Sequence, residues 1–206
     1  MRKYDFLRMT LCALDYLLRK VISSLGRVRF LLLCTLWGVE WRGIGRFIGK
    51  IVMRNTRKGK ICFGKNVVLQ SSFRMNPIGP ASPCLLDVRP GGEIEIGDGT
   101  GMTSTIISSA QKISIGRHCK IGGGAKILDH NFHAMDPEVR RNSGGDSNPR
   151  EISIGDDVFI GTNAIVLKGT SVGARSVIAA GSVVFGLDIP PDSLVRGNPA
   201  EVVARK

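Results

Sequence analysis

Four side chains that can exchange or hold protons lie within one eight-residue stretch of the segment LDHNFHAMDPEVRR, residues 128–141. They are Asp129, His130, His133 and Asp136, and they include two of the three histidines of the chain. A histidine changes charge near neutral pH, so it suits a general base that removes a proton from a poor nucleophile. A carboxylate that accepts from the second ring nitrogen can hold such an imidazole in place. The segment therefore predicts acid–base chemistry.

The same segment interrupts a six-residue repeat. From residue 154 the chain reads IGDDVF, IGTNAI, VLKGTS, VGARSV and IAAGSV, and upstream it reads IGRHCK and IGGGAK, with fainter turns at 96–101 and 63–68. The aliphatic positions are Ile154, Ile160, Val166, Val172, Ile178 and Val184, and the small residues four places on are Val158, Ala164, Thr170, Ser176 and Ser182. A period of six fits neither a helix nor an alternating strand. It predicts an all-β parallel solenoid of triangular cross-section, with one hexapeptide on each side and the aliphatic residue pointing inward.

Between about residues 129 and 150 the repeat stops. The stretch RRNSGGDSNPR is polar, rich in Gly, Asn and Pro, and offers no apolar repeat to bury. It predicts a loop extruded from a corner of the solenoid, which is where rigid scaffolds commonly carry their chemistry.

These residues resemble the bacterial hexapeptide-repeat acyltransferases. HAMDPEVR (133–140) is similar to the histidine segment of maltose and galactoside acetyltransferases, and IGDDVFIGTNAIV and IPPDSLVRGNPA are similar to the closing coils and tail of that family. The basic N-terminal region is more like that of capsule, O-antigen and exopolysaccharide O-acetyltransferases. The resemblance extends from about residue 60 to the C-terminus. It implies a left-handed parallel β-helix that transfers an acetyl group from acetyl-CoA, with no metal, to a hydroxyl of a sugar or a lipid-linked polysaccharide precursor.

The resemblance also implies site residues. His133 takes the position of the family's general base, which acts without a covalent acyl-enzyme, and Asp129 is assigned with it to catalysis, although Asp136 could equally orient the base. His130, Ser104 and Asp136 are assigned to the acceptor, and His130 could instead only shape the loop. The residues carried over by position to the donor are Gly161, Thr162, Ala179 and Ala180. Arg196, Arg205 and Lys206 are candidates for the nucleotide phosphates because they are cations near the tail. Two departures weaken the donor assignment, because VVFGLD (183–188) lacks the usual lysine and Glu201 stands where a cation is common.

Family sites are completed by two chains, so the resemblance implies a homotrimer. The five cysteines are scattered singly and include no CxxC pair, which favours a reducing cytoplasm. A zinc enzyme would share the prism, but the three histidines, with His118 as the third, are not spaced like that family's ligands. A non-catalytic assembly protein is a further alternative. Serine and sugar-nucleotide acetyltransferases are others, although they usually bring large N-terminal domains that sixty residues cannot supply.

Charge divides the chain into a basic segment, residues 1–59, and a nearly neutral coil domain, residues 60–206. Of the net charge of +12, residues 1–60 hold fourteen basic and three acidic residues. Because the excess is confined to this segment, a nucleic-acid-binding role for the whole chain is not expected.

The basic segment reads as an amphipathic helix. Leu7, Leu11, Leu14, Leu18, Val21 and Leu25 follow helical spacing, and a ten-residue apolar run follows at 30–39. That run is too short to cross a bilayer, which takes about 20 residues, and the start does not read as a signal peptide. Two interpretations stay open: peripheral contact with an anionic membrane on its cytoplasmic face, or packing on the body of the protein or on a partner subunit.

Overall fold

The computed structural model describes residues 3–43, 45–55, 58–73, 75–76, 82–142 and 148–203. A long helix, α1 (Lys3–Trp37), leads into a three-sided prism of short strands, and a short helix, α2 (Pro137–Arg141), lies in the loop that leaves the prism. The strands are numbered along the chain, and all but the last take the three sides in turn.

Sheet A contains β1 (Glu40–Trp41), β4 (Lys60–Phe63), β7 (Glu93–Ile96), β10 (Lys112–Ile115), β13 (Ile152–Ile154), β16 (Ser171–Val172) and β19 (Asp188–Ile189). Sheet B contains β2 (Arg46–Gly49), β5 (Val68–Ser71), β8 (Gly101–Thr103), β11 (Lys120–Ile121), β14 (Phe159–Ile160), β17 (Val177–Ile178), β20 (Leu194–Gly197) and β21 (Ala200–Val203). Sheet C contains β3 (Ile51–Asn55), β6 (Cys84–Val88), β9 (Ile106–Ser109), β12 (Lys126–Leu128), β15 (Ile165–Leu167) and β18 (Val183–Phe185).

From β1 to β17 each strand pairs in parallel with the strand three places later, so one turn of the chain forms one coil, whereas β21 pairs antiparallel with β20. In the late coils the register advances by eighteen residues, as in the pair Ile160 and Ile178. Across the interruption Ile113 pairs with Ile152, although 39 positions separate them. The extra residues therefore leave the prism without disturbing the coils on either side.

The six-residue repeat fills the core as predicted. The aliphatic positions from Ile154 to Val184 are at most 3% exposed, and the small residues from Val158 to Ser182 are buried at the corners. Ile and Val of successive coils stack directly, because the register places like residues side by side. This continuous column buries apolar surface from each coil, which is the main stabilising term available to such a fold.

Corners require residues that tolerate a left-handed backbone. On the corner between sheets A and B the positions with φ of 56–69° are Asn66, Gly99, His118, Asp157, Arg175 and Asp192. His118 therefore serves as a turn residue on a different corner from the loop histidines. The described residues contain no group of three His, Cys, Asp or Glu side chains arranged as metal ligands.

The coils begin earlier than the predicted boundary at residues 59 and 60. Strands β1, β2 and β3 pair with β4, β5 and β6 and form a first coil from Glu40 to Asn55. The repeat is hidden there because Phe47 and Met53 occupy inward positions that later coils fill with Ile or Val. Helix α1 extends through the apolar run and closes this end of the prism with Phe30 and Cys34. None of the described helices combines the length and the apolarity needed to cross a membrane.

The outward face of sheet A is charged and forms a ladder of ion pairs. Glu93 contacts Lys60 at 3.0 Å and Lys112 at 3.3 Å, and Lys112 also reaches Glu95 at 3.2 Å. The hydrogen bond from Lys60 is the largest cause that lowers the pKa of Glu93. A face of this kind is suited to solvent.

The cysteines test whether α1 is docked. Cys12 is exposed, whereas Cys34, Cys62, Cys84 and Cys119 are buried, and burial raises the pKa of Cys34 to about 12. We expect an alkylating reagent to modify Cys12 alone in the native protein and all five thiols in denaturant, because the thiolate is the reactive form. Peptide mass spectrometry measures this, with Cys12→Ser as control. Early labelling of Cys34 would contradict the docked helix end.

Candidate active site

The base of the loop is fixed by a buried carboxylate. Asp129 follows β12 directly and is fully buried. Its Oδ1 accepts from the backbone N–H of Ala110 at 2.7 Å, and its Oδ2 accepts from Ser109 Oγ at 2.7 Å and from the N–H of Gln111 at 2.9 Å. Both oxygens are thus engaged by the same corner of the preceding coil. Asp129 ties the point where the loop leaves the prism to the coil below it.

His130 belongs to a buried chain of hydrogen bonds. Its Nδ1 accepts from the backbone N–H of Phe132 at 3.1 Å, so a neutral ring carries its proton on Nε2. That nitrogen lies 3.0 Å from Ser108 Oγ, and Ser108 donates to Asp87 Oδ2 at 3.0 Å. Asp87 is in turn within 3.5 Å of Nε of Arg54 and 3.4 Å of Nε of Arg89. The chain links the loop to two coils of sheet C.

These contacts shape the loop just before His133. Phe132 has a left-handed φ of 64°, which is unfavourable for an aromatic residue without support. The ring of His130 packs edge-on against the Phe132 ring at 4.2 Å, and the Arg89 guanidinium lies 5.4 Å from its centroid. The buried network therefore stabilises the turn from which His133 projects.

His133 is exposed, while the backbone around it is held. Its N–H donates to the carbonyl of Asn131 at 2.8 Å, and the following residue, Ala134, is buried. Asp136 caps α2, since its Oδ1 accepts from the N–H groups of Glu138 and Val139 at 2.8 and 2.9 Å. An exposed imidazole on a braced segment can accept a proton from a bound molecule.

These contacts give structural roles to three residues that were assigned from the sequence to catalysis or to the acceptor. Asp129 does not orient His133, because its oxygens are taken by residues 109–111. Asp136 is the N-cap of α2, a structural role that was not predicted for it. His130 has both ring nitrogens engaged, which favours the loop-shaping alternative over direct contact with an acceptor.

The predicted donor residues lie on another corner, between sheets B and C. Ser104, Gly161, Thr162, Ala179 and Ala180 share this corner in successive coils. Thr162 accepts from the N–H of Gly181 at 2.9 Å, and a β-carbon at Gly161 would collide with the backbone of Ala180, so the turns stack closely. Ser104 is 2% exposed with a φ of 45° and serves as a turn residue. Arg196 is exposed opposite Glu201, while Arg205 and Lys206 lie outside the described residues.

Sheet C separates the two corners within one chain. Its strands are three to five residues long, which at about 3.3 Å per residue spans roughly 10–16 Å. The loop leaves at one edge of the sheet, and the donor corner forms the other edge. The structure of one chain therefore does not bring His133 to Gly161, Thr162, Ala179 or Ala180.

A cleft of about 480 Å³ lies beneath the loop, and most of its lining was not predicted. The residues that line it are Asn131, Met135, Asn148, Arg150, Leu167, Lys168 and Phe185. The buried Lys168 donates from Nζ to the carbonyl of Asn148 at 2.8 Å, and the Arg150 guanidinium lies 5.3 Å from the Phe185 ring centroid. The described residues of the lining include two cations and no acid. Of these residues, only Lys168 could have been noticed in the sequence, because this lysine of the repeat VLKGTS directly follows a strand with an inward-facing valine.

Residues 151–185 match the family model described as the hexapeptide repeat of succinyl-transferase. Over 154 residues the chain is 31% identical to WbbJ of Escherichia coli K12, which is named as an O-acetyl transferase of lipopolysaccharide biosynthesis, and the match covers 71% of this chain and 72% of that protein. The chain belongs to the hexapeptide-repeat acetyltransferase family. The predictions of an acetyltransferase and of a left-handed parallel β-helix are confirmed.

Two solved structures of this family share the architecture. A hexapeptide-repeat acetyltransferase of Vibrio cholerae, complexed with acetyl coenzyme A, is 26% identical with a TM-score of 0.58, covering 98% of this chain and 87% of that one. A galactoside acetyltransferase in complex with coenzyme A is 26% identical with a TM-score of 0.53, covering 68% of this chain and 64% of that one. The first holds acetyl-CoA and the second holds CoA.

The two loop aspartates provide a matched test of their assigned roles. Asp129→Asn places an amide where two N–H groups and a hydroxyl converge, so we expect a loss of about 1–3 kcal/mol in the free energy of unfolding. Asp136→Asn keeps the oxygen that caps α2, and Asn is an equally good cap, so the free energy of unfolding should not change. Denaturant unfolding of both variants measures the difference. Equal stabilities, or loss of activity in Asp136→Asn alone, would contradict these roles.

Proposed function

We propose that this acetyltransferase moves the acetyl group of acetyl-CoA to a hydroxyl of a sugar or of a lipid-linked polysaccharide precursor in the cytoplasm. The observation that carries the proposal is the exposed imidazole of His133 on a loop whose base is fixed by Asp129 and His130. The relatives support the choice of substrates, since one is named for O-acetyl transfer in lipopolysaccharide biosynthesis and others are crystallised with acetyl-CoA or CoA. The free cysteines suit a reducing compartment.

The chemistry requires one base and two proton transfers. The acceptor O–H gives its proton to the unprotonated ring nitrogen of His133 while its oxygen attacks the thioester carbonyl carbon. The C–S bond then breaks, and the imidazolium returns the proton to the departing sulfur. The products are the sugar ester and the free thiol of CoA, and no acyl group is placed on the protein. His130 is unsuited to this task because a proton on Nδ1 would break its bond from Phe132.

The donor and the base meet in this proposal at a seam between two copies. The outward face of sheet C is mostly apolar, and the exposed Lys126 lies on it beside Ile106 and Ile165. Its apolar residues are Ile106, Leu128, Ile165, Leu167, Val183 and Phe185. The outward face of sheet A is charged, and sheet C is the side whose two edges carry the loop and the donor corner, so we assign sheet C to the contact with a neighbouring copy. With sheet C covered, the loop of one chain lies against the donor corner of the next. This supports the homotrimer and explains why one chain leaves the corners apart.

Removing the base tests the mechanism. We expect His133→Asn to lower kcat roughly 10²–10⁴-fold without loss of stability, because general bases contribute about this much. His118→Asn is the matched control, since Asn tolerates the left-handed φ at that corner. Release of CoA thiol in the presence of sugar acceptors measures the rate. A kcat of His133→Asn equal to that of the wild type would contradict this mechanism.

The product distinguishes the alternative acceptors. An ester formed on a hydroxyl is cleaved by mild alkali, whereas an amide formed on an amino sugar survives it. A wild-type protein that neither hydrolyses nor transfers acetyl-CoA with any sugar or serine would favour the non-catalytic alternative.

Mixed assemblies test the seam. Ala180 is exposed on the donor corner, so Ala180→Trp should block the donor groove without straining the coil. Co-expression of this variant with His133→Asn should restore activity at about a quarter of the sites, since random mixing pairs an intact loop with an intact corner that often. Each variant alone should be inactive. A mixture no more active than its components would mean that loop and corner do not act across chains.

A further inference from the structure

Helix α1 touches the prism along one side only. Phe30 stacks on Phe47 with ring centroids 3.2 Å apart, and Cys34 is 2% exposed. Gly26 lies on the same side, where a β-carbon would collide with the carbonyl oxygen of Phe47. At 3.6 residues per turn these three positions form one stripe, which fixes the rotation of the helix about its axis. Ile22 lies one turn before Gly26, is partly buried and lines a cleft with Gly49 of β2.

The opposite side of α1 carries a continuous apolar surface, which we name the α1 apolar face. Its members are 37–77% exposed and recur at spacings of three and four: Leu11, Leu14, Leu18, Val21, Leu25, Val28, Leu32 and Leu36. Leu17 and Leu31 widen it on one flank. Trp37 and Trp41, the two tryptophans of the chain, are partly exposed near the C-terminal end of α1, on the side of the helix that faces the prism. Exposed apolar patches of this extent mark interaction sites in soluble proteins.

Exposed cations lie on α1 and on the start of the first coil. They are Lys20, Arg27, Arg29, Arg42, Arg46 and Lys50. Residues 1–60 hold fourteen basic and three acidic residues, so the partner must tolerate a concentrated positive charge. An amphipathic helix with this composition lies in the headgroup plane of an anionic bilayer, with cations on the lipid phosphates.

We propose that the α1 apolar face docks on the surface of an anionic lipid bilayer, with the helix parallel to the membrane plane. A second copy of the chain is the other candidate occupant, because spacings of three and four also suit a coiled coil. Two observations favour the bilayer. The apolar arc, widened by Leu17 and Leu31, is broader than a seam of two residues in seven. Packing copies together would also concentrate like charges that anionic headgroups neutralise.

The test uses the unmodified full-length protein. Vesicles of phosphatidylcholine with phosphatidylglycerol should carry the protein into the pellet. Vesicles of phosphatidylcholine alone should not, and added salt should weaken the binding. Protein that stays in the supernatant with anionic vesicles would overturn the proposal.

Substitutions then locate the contact. The double variant Leu14→Glu with Leu25→Glu should lose at least tenfold in vesicle affinity, while Val202→Glu, at an exposed apolar residue at the far end of the prism, should bind like wild type. Protection of Cys34 from alkylation shows whether the double variant keeps its helix docked. Equal binding by the double variant would refute the assigned face. Loss of assembly mass in ultracentrifugation, without vesicle binding by wild type, would assign the face to a second copy instead.

Discussion

The column of aliphatic side chains inside the prism is the constraint on which the remaining structure depends. Each coil stacks on its neighbours in fixed register, so like residues such as Val166 and Val184 meet side by side. Because a coil contacts only the coils before and after it, an insertion at a corner leaves the column intact. The loop at 129–150 uses this freedom. Pairing resumes at Ile152 as though the inserted residues were absent.

The parts of the fold that could be predicted are those encoded by local period. The inward positions from Ile154 to Val184 were readable because one residue type recurs at one spacing. The first coil was not readable, because Phe47 and Met53 break the pattern and the closing contact comes from Phe30 on the helix. A sequence period reveals coils that stack on similar coils. It does not reveal a coil that packs on a different element, such as a helix.

The candidate site was predictable by residue type but not by role. Asp129 and His130 stand beside His133 in sequence, yet their partners lie about twenty residues earlier, at Ser108 and at residues 109–111. A carboxylate whose oxygens are both satisfied, or an imidazole whose nitrogens are both engaged, stabilises a conformation at the cost of its reactivity. The loop thus separates two tasks: adjacent residues hold the backbone, and His133 keeps an imidazole open to solvent. Lys168 and Phe185 were missed because they join the loop from later coils.

The three sides and two ends of the prism differ in surface chemistry, and these differences determine which surfaces meet in the proposed trimer. Sheet A presents paired charges to solvent, whereas sheet C presents aliphatic side chains that a neighbouring copy would cover. If three copies pack through sheet C about an axis parallel to their coils, all three α1 helices lie at the same end. Three weakly binding helices then act on one bilayer, and the second and third contacts form at high effective concentration. Weak lipid affinity of a single helix is therefore compatible with a stably bound assembly, whose loops face one another's donor corners within reach of a lipid-linked acceptor.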